Sequence, residues 1–200
     1  ALVGLTNKPK IVYRSPNSPK LLLENNQLSL IMKTLLRRAY KNADTIIAQT
    51  PEMKDEIIKY HKIKKDKIIV MLNPVDTEHI DKSVKNIRNP FDNTHINVVA
   101  AGRLTEQKGV DILIKSFSVV VKKDSLFKLY IIGEGSIGEL SKLMKLVKKY
   151  NLEKYVEFLG FQENPYQYFY YSSLYVLSSR WEGLPNTVLE NLYLKKPIVA

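Results

Sequence analysis

The sequence predicts an α/β protein built on a parallel sheet that helices cover on both faces. Short apolar segments alternate with segments of helical periodicity through most of the 200 residues. The connections between these segments are short, as they are in strand–helix–strand units. The apolar segments are also continuous runs, which is typical of strands buried on both faces of a sheet.

The composition indicates a folded protein and excludes several classes of site. Hydrophobic residues make up 44% of the chain, which argues against disorder. The absence of cysteine excludes disulfides and cysteine-ligated zinc, and it fits a reducing compartment. No apolar run approaches the ~20 residues of a membrane-spanning helix. The chain begins without Met and stops inside a predicted strand, so we expect a piece of a longer protein.

Strands and helices alternate in the first part of the chain. The predicted order is strand 10–14, helix 21–43, strand 44–50, helix 51–61 and strand 67–73. The first helix is expected because apolar side chains share one of its faces, namely Leu28, Ile31, Met32, Leu35 and Leu36. Pro51 suits the first turn of the second helix, where early acidic residues also favour the helix dipole.

The segment 73–95 interrupts this alternation. It is polar, contains two prolines and has no sustained period, so it predicts a linker or domain boundary. The alternation then resumes as strand 96–102, helix 108–123, strand 127–133, helix 137–151, strand 155–160, helix 164–172, strand 173–179, helix 186–195 and strand 197–200. We expect the strands near 96–101, 128–132, 156–159 and 174–178 to be parallel neighbours in one sheet.

The net charge of +11 leaves several partners open. The lysines are scattered rather than clustered, which favours an ordinary solvated surface. A phosphate-bearing ligand, an anionic membrane surface and nucleic acid are the functional alternatives. Ligands of open parallel sheets bind beyond the C-terminal ends of the strands. The residues that distinguish these possible partners are therefore expected in the loops after Ala101, Ile132, Leu159 and Ser179.

The first of these loops, AAGRLTEQKGV at 100–110, predicts a diphosphate site. Gly102 permits a tight turn, and Arg103 and Lys108 project from the same short loop. Arginine forks onto phosphate oxygens, lysine adds a point charge, and a helix begins beside them. Two solvated surface cations are the alternative interpretation, and the loop alone leaves both open.

The second loop, GEGSIG at 133–138, matches the G-x-G-x-x-G pattern of dinucleotide-binding proteins. The acidic residue expected about 20 positions later would be Glu153 or Glu157. However, the motif follows the second strand of its half, and Glu157 lies inside a predicted strand. Glycines that turn the chain and leave room for a ligand are therefore favoured over an NAD site.

The third loop, RWEGLPNTVLE at 180–190, places two carboxylates around a helix start. Asn186 and Thr187 suit a helix N-cap, so Glu190 falls one turn into the helix and Glu182 on the loop before it. Helix amides suit a phosphate, and carboxylates accept hydrogen bonds from sugar hydroxyls. Two ordinary surface acids beside a packing residue, Trp181, are the alternative.

Other residues give weaker signals. The histidines lack a metal-ligand spacing, so no metal site is expected at His61, His79 or His95. The tyrosine-rich segment YQYFYYSSLY has helical spacing, which favours packing over stacking on nucleic-acid bases.

Taken together, four segments resemble the retaining glycosyltransferases of family 4, which have the two-domain GT-B fold. They occur in the order AAGRLTEQKGVDILIKSF, LYIIGEG, VEFLGF and SSRWEGLPNTVLENLYLKKPIVA. The E-x7-E spacing from Glu182 to Glu190 is that family's signature, and the resemblance spans residues 95–200.

The resemblance implies a domain organisation. Residues 1–79 resemble the C-terminal part of the N-terminal, acceptor-side Rossmann-like domain. Residues 80–95 would then be a linker, and 96–200 a nucleotide-sugar donor-binding domain that is truncated at its C-terminus.

The resemblance also implies a role for each matching position. Three residues are implied to be catalytic, with Glu182 beside the reacting carbon of the sugar and Arg103 and Lys108 at the diphosphate. Glu190 is implied to bind the ribose hydroxyls. The other substrate-binding positions are implied to contact sugar, phosphate or base, and they are Gly102, Gly133, Gly135, Phe161, Gly183, Leu184, Pro185, Asn186 and Thr187.

The implied activity is transfer of a hexose or N-acetylhexosamine from a nucleotide diphosphate sugar to a saccharide or lipid-linked acceptor. Among such donors a UDP-sugar is favoured. Such enzymes build bacterial capsule, lipopolysaccharide or lipid-linked oligosaccharides, retain the anomeric configuration and use neither a metal nor another cofactor. No nucleic acid partner is implied. A non-catalytic nucleotide-binding module of the same fold and, from GEGSIG alone, an NAD-linked oxidoreductase remain as alternatives.

A cytoplasmic location follows from this resemblance, with peripheral contact at the cytoplasmic face of an anionic membrane as a further expectation. The helix near 26–42 carries cations beside an apolar face, and these are Lys33, Arg37, Arg38 and Lys41. A buried amphipathic helix with a solvated basic side is the favoured alternative.

Overall fold

The computed structural model describes residues 9–15, 17–24, 29–92 and 94–200. The chain divides into two compact units. The first unit consists of Ala1–Pro74 with Trp181–Leu184, and the second of Val75–Arg180 with Pro185–Ala200. Both units are α/β, and each has its own parallel sheet, as the sequence predicts.

The first unit contains a three-stranded parallel sheet flanked by helices. Its elements are β1 (Val12–Arg14), α1 (Pro19–Glu24), α2 (Leu30–Asn42), β2 (Thr45–Ala48), α3 (Pro51–His61) and β3 (Ile68–Val70), and the strand order is β1-β2-β3. Alternate residues of the central strand, Ile46 and Ala48, are fully buried. They pack in one apolar cluster with Tyr40 of α2 and Ile57 of α3.

The predicted helix 51–61 is confirmed with its bounds. Pro51 occupies the first turn, and the Thr50 hydroxyl caps the helix by accepting a hydrogen bond from the Met53 amide at 3.2 Å. The helix ends at His61 and is followed by Lys62, a C-cap residue with a left-handed backbone conformation.

The single helix predicted over 21–43 is wrong, because the structure contains two helices, α1 and α2. Helix α2 has its own N-cap, Ser29, whose hydroxyl accepts from the Met32 amide at 3.3 Å. Most of the predicted apolar face is exposed, with Ile31 73% and Leu35 53% exposed, whereas Leu36 is partly buried against the core of the unit. The buried side of α2 instead carries Tyr40, and Leu28 lies outside the described residues.

The second unit contains a five-stranded parallel sheet. Its strands are β4 (Ile96–Ala101), β5 (Phe127–Ile132), β6 (Val156–Gly160), β7 (Leu174–Val176) and β8 (Ile198–Val199), in the order β6-β5-β4-β7-β8. The register aligns β4 with β5 over their whole length, from Ile96 opposite Phe127 to Ala101 opposite Ile132. The predicted parallel arrangement of these strands is therefore confirmed.

Helices cover this sheet on both faces. They are α4 (Thr77–Ser83), α5 (Val110–Lys123), α6 (Ile137–Lys149), α7 (Tyr166–Tyr171) and α8 (Asn186–Tyr193). One apolar cluster joins β4 and β5 to α5 and α6, and it contains Val98, Ile114, Ile131 and Val147. The other cluster lies on the opposite face, where Val99 and Tyr130 pack with Phe169 of α7. The tyrosine-rich segment therefore serves packing, as expected.

Helix α4 lies within the segment that the sequence predicts to be an irregular linker. The Asp76 carboxylate caps it by accepting from the His79 amide at 2.9 Å, and Ile80 is buried. The predicted linker 80–95 therefore begins inside a helix. The assignment of 1–79 to an acceptor-side domain and of 96–200 to a donor-binding domain stays a prediction.

Within the described residues, no helix is both long enough and apolar enough to span a bilayer. The strands of the second sheet all run in one direction, so their C-terminal ends share one edge. The candidate loops at 100–110 and 133–138 follow β4 and β5, so they lie at this edge.

Candidate functional site

A cavity of about 550 Å³ lies at the C-terminal edge of the sheet in the second unit. The loops after β4, β5 and β6 and the first turns of α8 line it. It brings together seven predicted site residues, namely Arg103 of the predicted catalytic set and the predicted substrate-binding residues Gly102, Gly133, Gly135, Phe161, Thr187 and Glu190. These positions are far apart in the sequence, and the parallel topology of the sheet brings them close together in space.

The loop after β4 contributes one cation to this cavity and places the stem of a second at its edge. Arg103 lines it, and the stem of Lys108 lies across Gly102. A Cβ on Gly102 would lie 3.3 Å from both Cδ and Cε of Lys108, so a side chain here would crowd the lysine. Leu104 is buried beneath the loop, and its amide donates to the Glu134 carbonyl at 2.8 Å.

The glycines of GEGSIG serve loop packing. Gly133 has φ +130°, and a Cβ there would lie 2.0 Å from the Gly102 carbonyl oxygen. At Gly135 a Cβ would lie 2.8 Å from the Leu104 Cβ. Gly138, the third glycine, has only the Ser136 hydroxyl within 4 Å, at 3.9 Å. The first two glycines thus let the β5–α6 loop touch the β4–α5 loop, which favours glycines that turn the chain over a dinucleotide fingerprint.

Helix α8 directs its N-terminus to the same edge. It begins at Asn186, so Asn186 is the first helical residue rather than the predicted cap, and Pro185 stands at the N-cap without a side-chain cap bond. In the first turn, the Thr187 hydroxyl accepts a hydrogen bond from the Tyr175 hydroxyl at 2.8 Å. Helix amides and a hydroxyl at one helix start are chemically suited to an anion.

Glu190 is half-buried one turn further along α8. Burial raises the pKa of its carboxyl above the ordinary value, while a hydrogen bond from the Tyr166 hydroxyl and the nearby His79 partly counter that rise. Burial also raises the pKa of Tyr166, and the Glu190 charge adds to this rise. Tyr166 itself packs edge-on against His79, with ring centroids 5.6 Å apart. Glu190 is therefore a desolvated acceptor that its neighbours hold in place.

Glu182, Gly183 and Leu184 belong to the first unit in the structure. There the Leu184 amide donates to the Gln49 side-chain oxygen at 2.9 Å, and the Asn73 amide donates to the Leu184 carbonyl at 2.7 Å. The meeting of Glu182 with Arg103, Lys108 and Glu190 in one cleft stays a prediction.

Several residues of the site escape sequence reasoning. Glu134, Gln162, Pro165 and Phe169 also line the cavity. Gln162 directly follows Phe161 in the loop after β6, and its side chain donates to the Leu159 carbonyl at 2.7 Å. Its position after a parallel strand is the signal that would have pointed to it. Tyr166 and Tyr175, which contact Glu190 and Thr187, carry no such signal, because their tyrosine-rich segment predicts only packing.

Among the residues that the structure describes, no group of three or more His, Asp or Glu side chains is placed to hold a metal ion.

Two family models match the chain. The model of the glycosyl transferases group 1 covers residues 81–200, which is more than half of the chain, and that of glycosyltransferase family 4 covers residues 16–79. The first match contains the whole candidate cavity, and the second covers the first unit from residue 16 to Pro74 and continues to residue 79, inside the second unit.

Two curated relatives are similar over almost the whole chain. An uncharacterised glycosyltransferase of Methanocaldococcus jannaschii is 36% identical over 203 residues, which cover 98% of this chain and 49% of the relative. N-acetylgalactosamine-N,N'-diacetylbacillosaminyl-diphospho-undecaprenol 4-alpha-N-acetylgalactosaminyltransferase of Campylobacter jejuni is 30% identical over 198 residues, with 97% and 51% covered. The chain thus spans about half the length of these relatives.

A solved structure shows the same fold. The HepE protein of Anabaena, determined in complex with UDP, superimposes with a TM-score of 0.78 at 20% identity over 96% of this chain and 53% of that one. This likeness and the two parallel sheets confirm that the fold is of the predicted GT-B type. With the family model covering residues 81–200, the chain belongs to the glycosyl transferases group 1 family.

Proposed function

We propose that the full protein is a retaining glycosyltransferase. It transfers a hexose or N-acetylhexosamine from a UDP-sugar to a saccharide or lipid-linked acceptor. The observation that carries this proposal is the cavity at the sheet edge, where Arg103, Thr187 and Glu190 line one space of about 550 Å³. A cation, a helix start and a half-buried carboxylate are the groups that a nucleotide diphosphate requires side by side.

Each group recognises a different part of the donor on this proposal. Arg103 and Lys108 bind the diphosphate, together with the Thr187 hydroxyl and the first amides of α8. Glu190 accepts hydrogen bonds from the ribose hydroxyls. The base lies near Phe161, which is 70% exposed, and above the close-packed glycines 133 and 135. Glu182 and the backbone of 183–186 hold the sugar.

The same arrangement supports the reaction. The bond between the sugar's first carbon and the diphosphate oxygen breaks, and negative charge grows on that oxygen. Cations and helix amides fixed beside it stabilise this charge more in the transition state than in the ground state. Loss of one such contact raises the barrier by about 3 kcal/mol, or ~100-fold in rate. The proposal includes retention by attack from the leaving-group face, without a metal.

The proposed acceptor class rests on the Campylobacter jejuni relative, whose name gives a diphospho-undecaprenol-linked saccharide as its acceptor. A lipid-linked acceptor would place the enzyme at the cytoplasmic face of a membrane. In the described structure, helix α2 exposes Leu30, Ile31 and Leu35 and also carries exposed Arg37 and Arg38. We include peripheral contact of this helix with anionic lipid in the proposal.

The test is a donor-hydrolysis and transfer assay on the full-length protein over a panel of UDP-sugars, combined with calorimetric titration of UDP and NAD. We expect UDP to bind, NAD not to bind, and one UDP-sugar to be turned over. UDP binding without turnover of any donor would favour a non-catalytic nucleotide-binding module. NAD binding in place of UDP would favour the oxidoreductase alternative.

A further inference from the structure

Three consecutive backbone carbonyls of the β4–α5 loop accept hydrogen bonds from the segment 178–180. The Glu106 carbonyl accepts from the Arg180 Nη1 at 2.6 Å, and the Gln107 carbonyl accepts from the Arg180 backbone amide at 2.7 Å. The Lys108 carbonyl accepts from the Ser178 hydroxyl at 2.9 Å. These carbonyls belong to one 3-10 turn, Glu106–Lys108, so a single turn is held from outside at three successive positions.

A carboxylate at the start of α5 fixes the Arg180 side chain. Arg180 Nη1 and Nη2 donate to the two oxygens of Asp111, each at 2.8 Å. This bidentate geometry sets the plane of the guanidinium and leaves Nη1 aimed at the Glu106 carbonyl. Both side chains are 27% exposed, so the pair is partly shielded from solvent.

The two backbones also touch directly. Gly109 has φ +63°, and a Cβ there would lie 2.0 Å from the Ser178 carbonyl oxygen. Only glycine fits both this conformation and this contact. The segment 178–180 therefore lies in van der Waals contact with the end of the turn as well as hydrogen-bonded to it.

The turn that is held in this way ends at Lys108. The Lys108 stem crosses Gly102, at the edge of the candidate cavity. Because the Lys108 carbonyl and the two carbonyls before it are fixed, the direction in which the lysine stem leaves the backbone is fixed too. A lysine with four rotatable bonds would otherwise lose much of its positional accuracy.

We propose that Ser178, Arg180 and Asp111 form a carbonyl clamp, a set of positioning residues that aims Lys108 at the leaving diphosphate. This inference rests on the proposed function, since it assigns the clamp to the same phosphate site. The clamp residues act through Lys108. The Arg180–Asp111 ion pair, being partly exposed, contributes little to global stability, so its effect is expected in binding and turnover.

The decisive experiment combines Arg180→Gln with Lys108→Ala in the full-length protein. In the wild-type background we expect Arg180→Gln to lower donor turnover about tenfold, because a small misplacement of a catalytic group is costly. In the Lys108→Ala background the same change should lower turnover by less than about twofold, since the residue that the clamp positions is absent. Equal losses in both backgrounds would overturn the proposal.

Two controls separate positioning from folding. Lys115→Gln removes the other cation near Asp111, whose Nζ lies 3.7 Å from the carboxylate, without touching the three carbonyls. It should leave turnover unchanged. Arg180→Lys keeps the charge but removes the bidentate guanidinium, so it should lower donor turnover almost as much as Arg180→Gln does. Full turnover by Arg180→Lys would show that charge alone is needed and would overturn the clamp.

Backbone amide hydrogen exchange tests the clamp without any nucleotide. Arg180→Gln should speed exchange of the amides in 105–113 and leave those of α6 unchanged. Unchanged exchange in 105–113 would overturn the clamp, whatever the enzyme binds. Failure of the wild-type protein to bind UDP would instead overturn the proposed function, and the two failures are therefore distinguishable.

Discussion

The Tyr175 hydroxyl donates a 2.8 Å hydrogen bond to the hydroxyl of Thr187 in the first turn of α8. Tyr175 is fully buried between the sheet and its helices, so its ring has a fixed position. Because the Thr187 oxygen accepts this bond, its own proton is left to be donated elsewhere. Thr187 lines the candidate cavity, and on the proposed function its hydroxyl donates a hydrogen bond to a phosphate oxygen.

Tyr175→Phe should therefore weaken UDP binding. The change keeps the buried ring and removes the donor, and we expect affinity to fall about fivefold, which corresponds to roughly 1 kcal/mol for one hydrogen bond. Calorimetric titration measures it. Tyr171→Phe is the matched control, because the Tyr171 hydroxyl donates to the Ile87 carbonyl at 3.2 Å, outside the cavity. An equal loss in both variants would contradict the orienting role of Tyr175.

Substitutions of the two glutamates of the E-x7-E motif should have different effects on binding and turnover. Glu190→Gln removes the charge that binds the ribose, so UDP and UDP-sugar should both bind more weakly. Glu182→Gln should keep UDP affinity and lower turnover, because its contact matters most as positive charge develops on the sugar. UDP titration and donor turnover on the full-length variants measure both. If Glu182→Gln weakens UDP as much as Glu190→Gln does, this division of roles is wrong.

The raised pKa of Glu190 predicts a pH dependence of UDP binding. The ionised carboxylate accepts hydrogen bonds from the ribose hydroxyls more strongly than the protonated carboxyl does, and burial raises its pKa. Wild-type affinity should therefore fall as the pH is lowered, at pH values where an exposed glutamate of pKa about 4.3 is still ionised. Glu190→Gln should lack this component, while the titration of UDP itself is common to both proteins. Parallel pH profiles for the two proteins would refute the assignment.

The same pKa shift gives a stability prediction of known sign. A carboxyl whose folded pKa lies above its unfolded value favours the folded state most when it is protonated. Relative to Glu190→Gln, the nucleotide-free wild type should be most stable below the unfolded pKa, and it should lose this advantage as the pH rises through the folded pKa. Thermal unfolding of both proteins across the acidic range measures it. A wild type that gains relative stability with rising pH would contradict the burial of this carboxyl.

The glycines of GEGSIG should respond to alanine in opposite directions. Gly133→Ala places a Cβ 2.0 Å from the Gly102 carbonyl at φ +130°, so it should destabilise the fold by roughly 2–4 kcal/mol. Gly138→Ala places a Cβ in ordinary contact with the Ser136 hydroxyl, 3.9 Å away, in the first turn of α6, and it should stabilise the fold by about 0.5–1 kcal/mol. Denaturant unfolding measures both changes. A large loss at Gly138 would revive the interpretation in which all three glycines serve a dinucleotide.

Membrane contact through α2 should depend on charge. The full-length protein should float with anionic liposomes at low salt and less so at moderate salt, because screening weakens the attraction. Replacing Arg37 and Arg38 with Glu should abolish flotation. Replacing Lys64 and Lys65, which are exposed outside α2, makes the same charge change and should have a smaller effect. Absence of flotation at low salt would contradict electrostatic binding of α2 to anionic lipid.

The second sheet was predictable because its strands carry an unambiguous signal. Runs such as INVVAA, 96–101, are apolar at every position but one, and such a run is typical of a strand buried on both faces. Helix α4 was not predictable in this way, since Ile80 is its single buried residue and gives no period. The cap at Asp76 was the readable signal. The break between α1 and α2 was hidden because one apolar pattern continues across it, whereas Ser29 starts a new helix.

The part of the candidate cavity that could be predicted is the part formed by residues at the ends of strands. Residues directly after a parallel strand, such as Arg103 and Phe161, are placed by topology. Contacts that depend on three-dimensional closeness were not readable, because nothing in the sequence pairs Gly133 with Gly102 or Tyr175 with Thr187. The Arg180–Asp111 pair spans 69 positions and likewise required the structure.

The return of Trp181–Leu184 to the first unit has a consequence for biosynthesis. The Leu184 amide bonds Gln49, 135 positions earlier, so the first unit stays incomplete on the ribosome until most of the second has been made. At about 5–20 residues per second, that delay is roughly 7–27 s. During this interval Gln49 and Asn73 lack the backbone partner that they have in the finished protein, so these two hydrogen bonds form only after Leu184 has been synthesised.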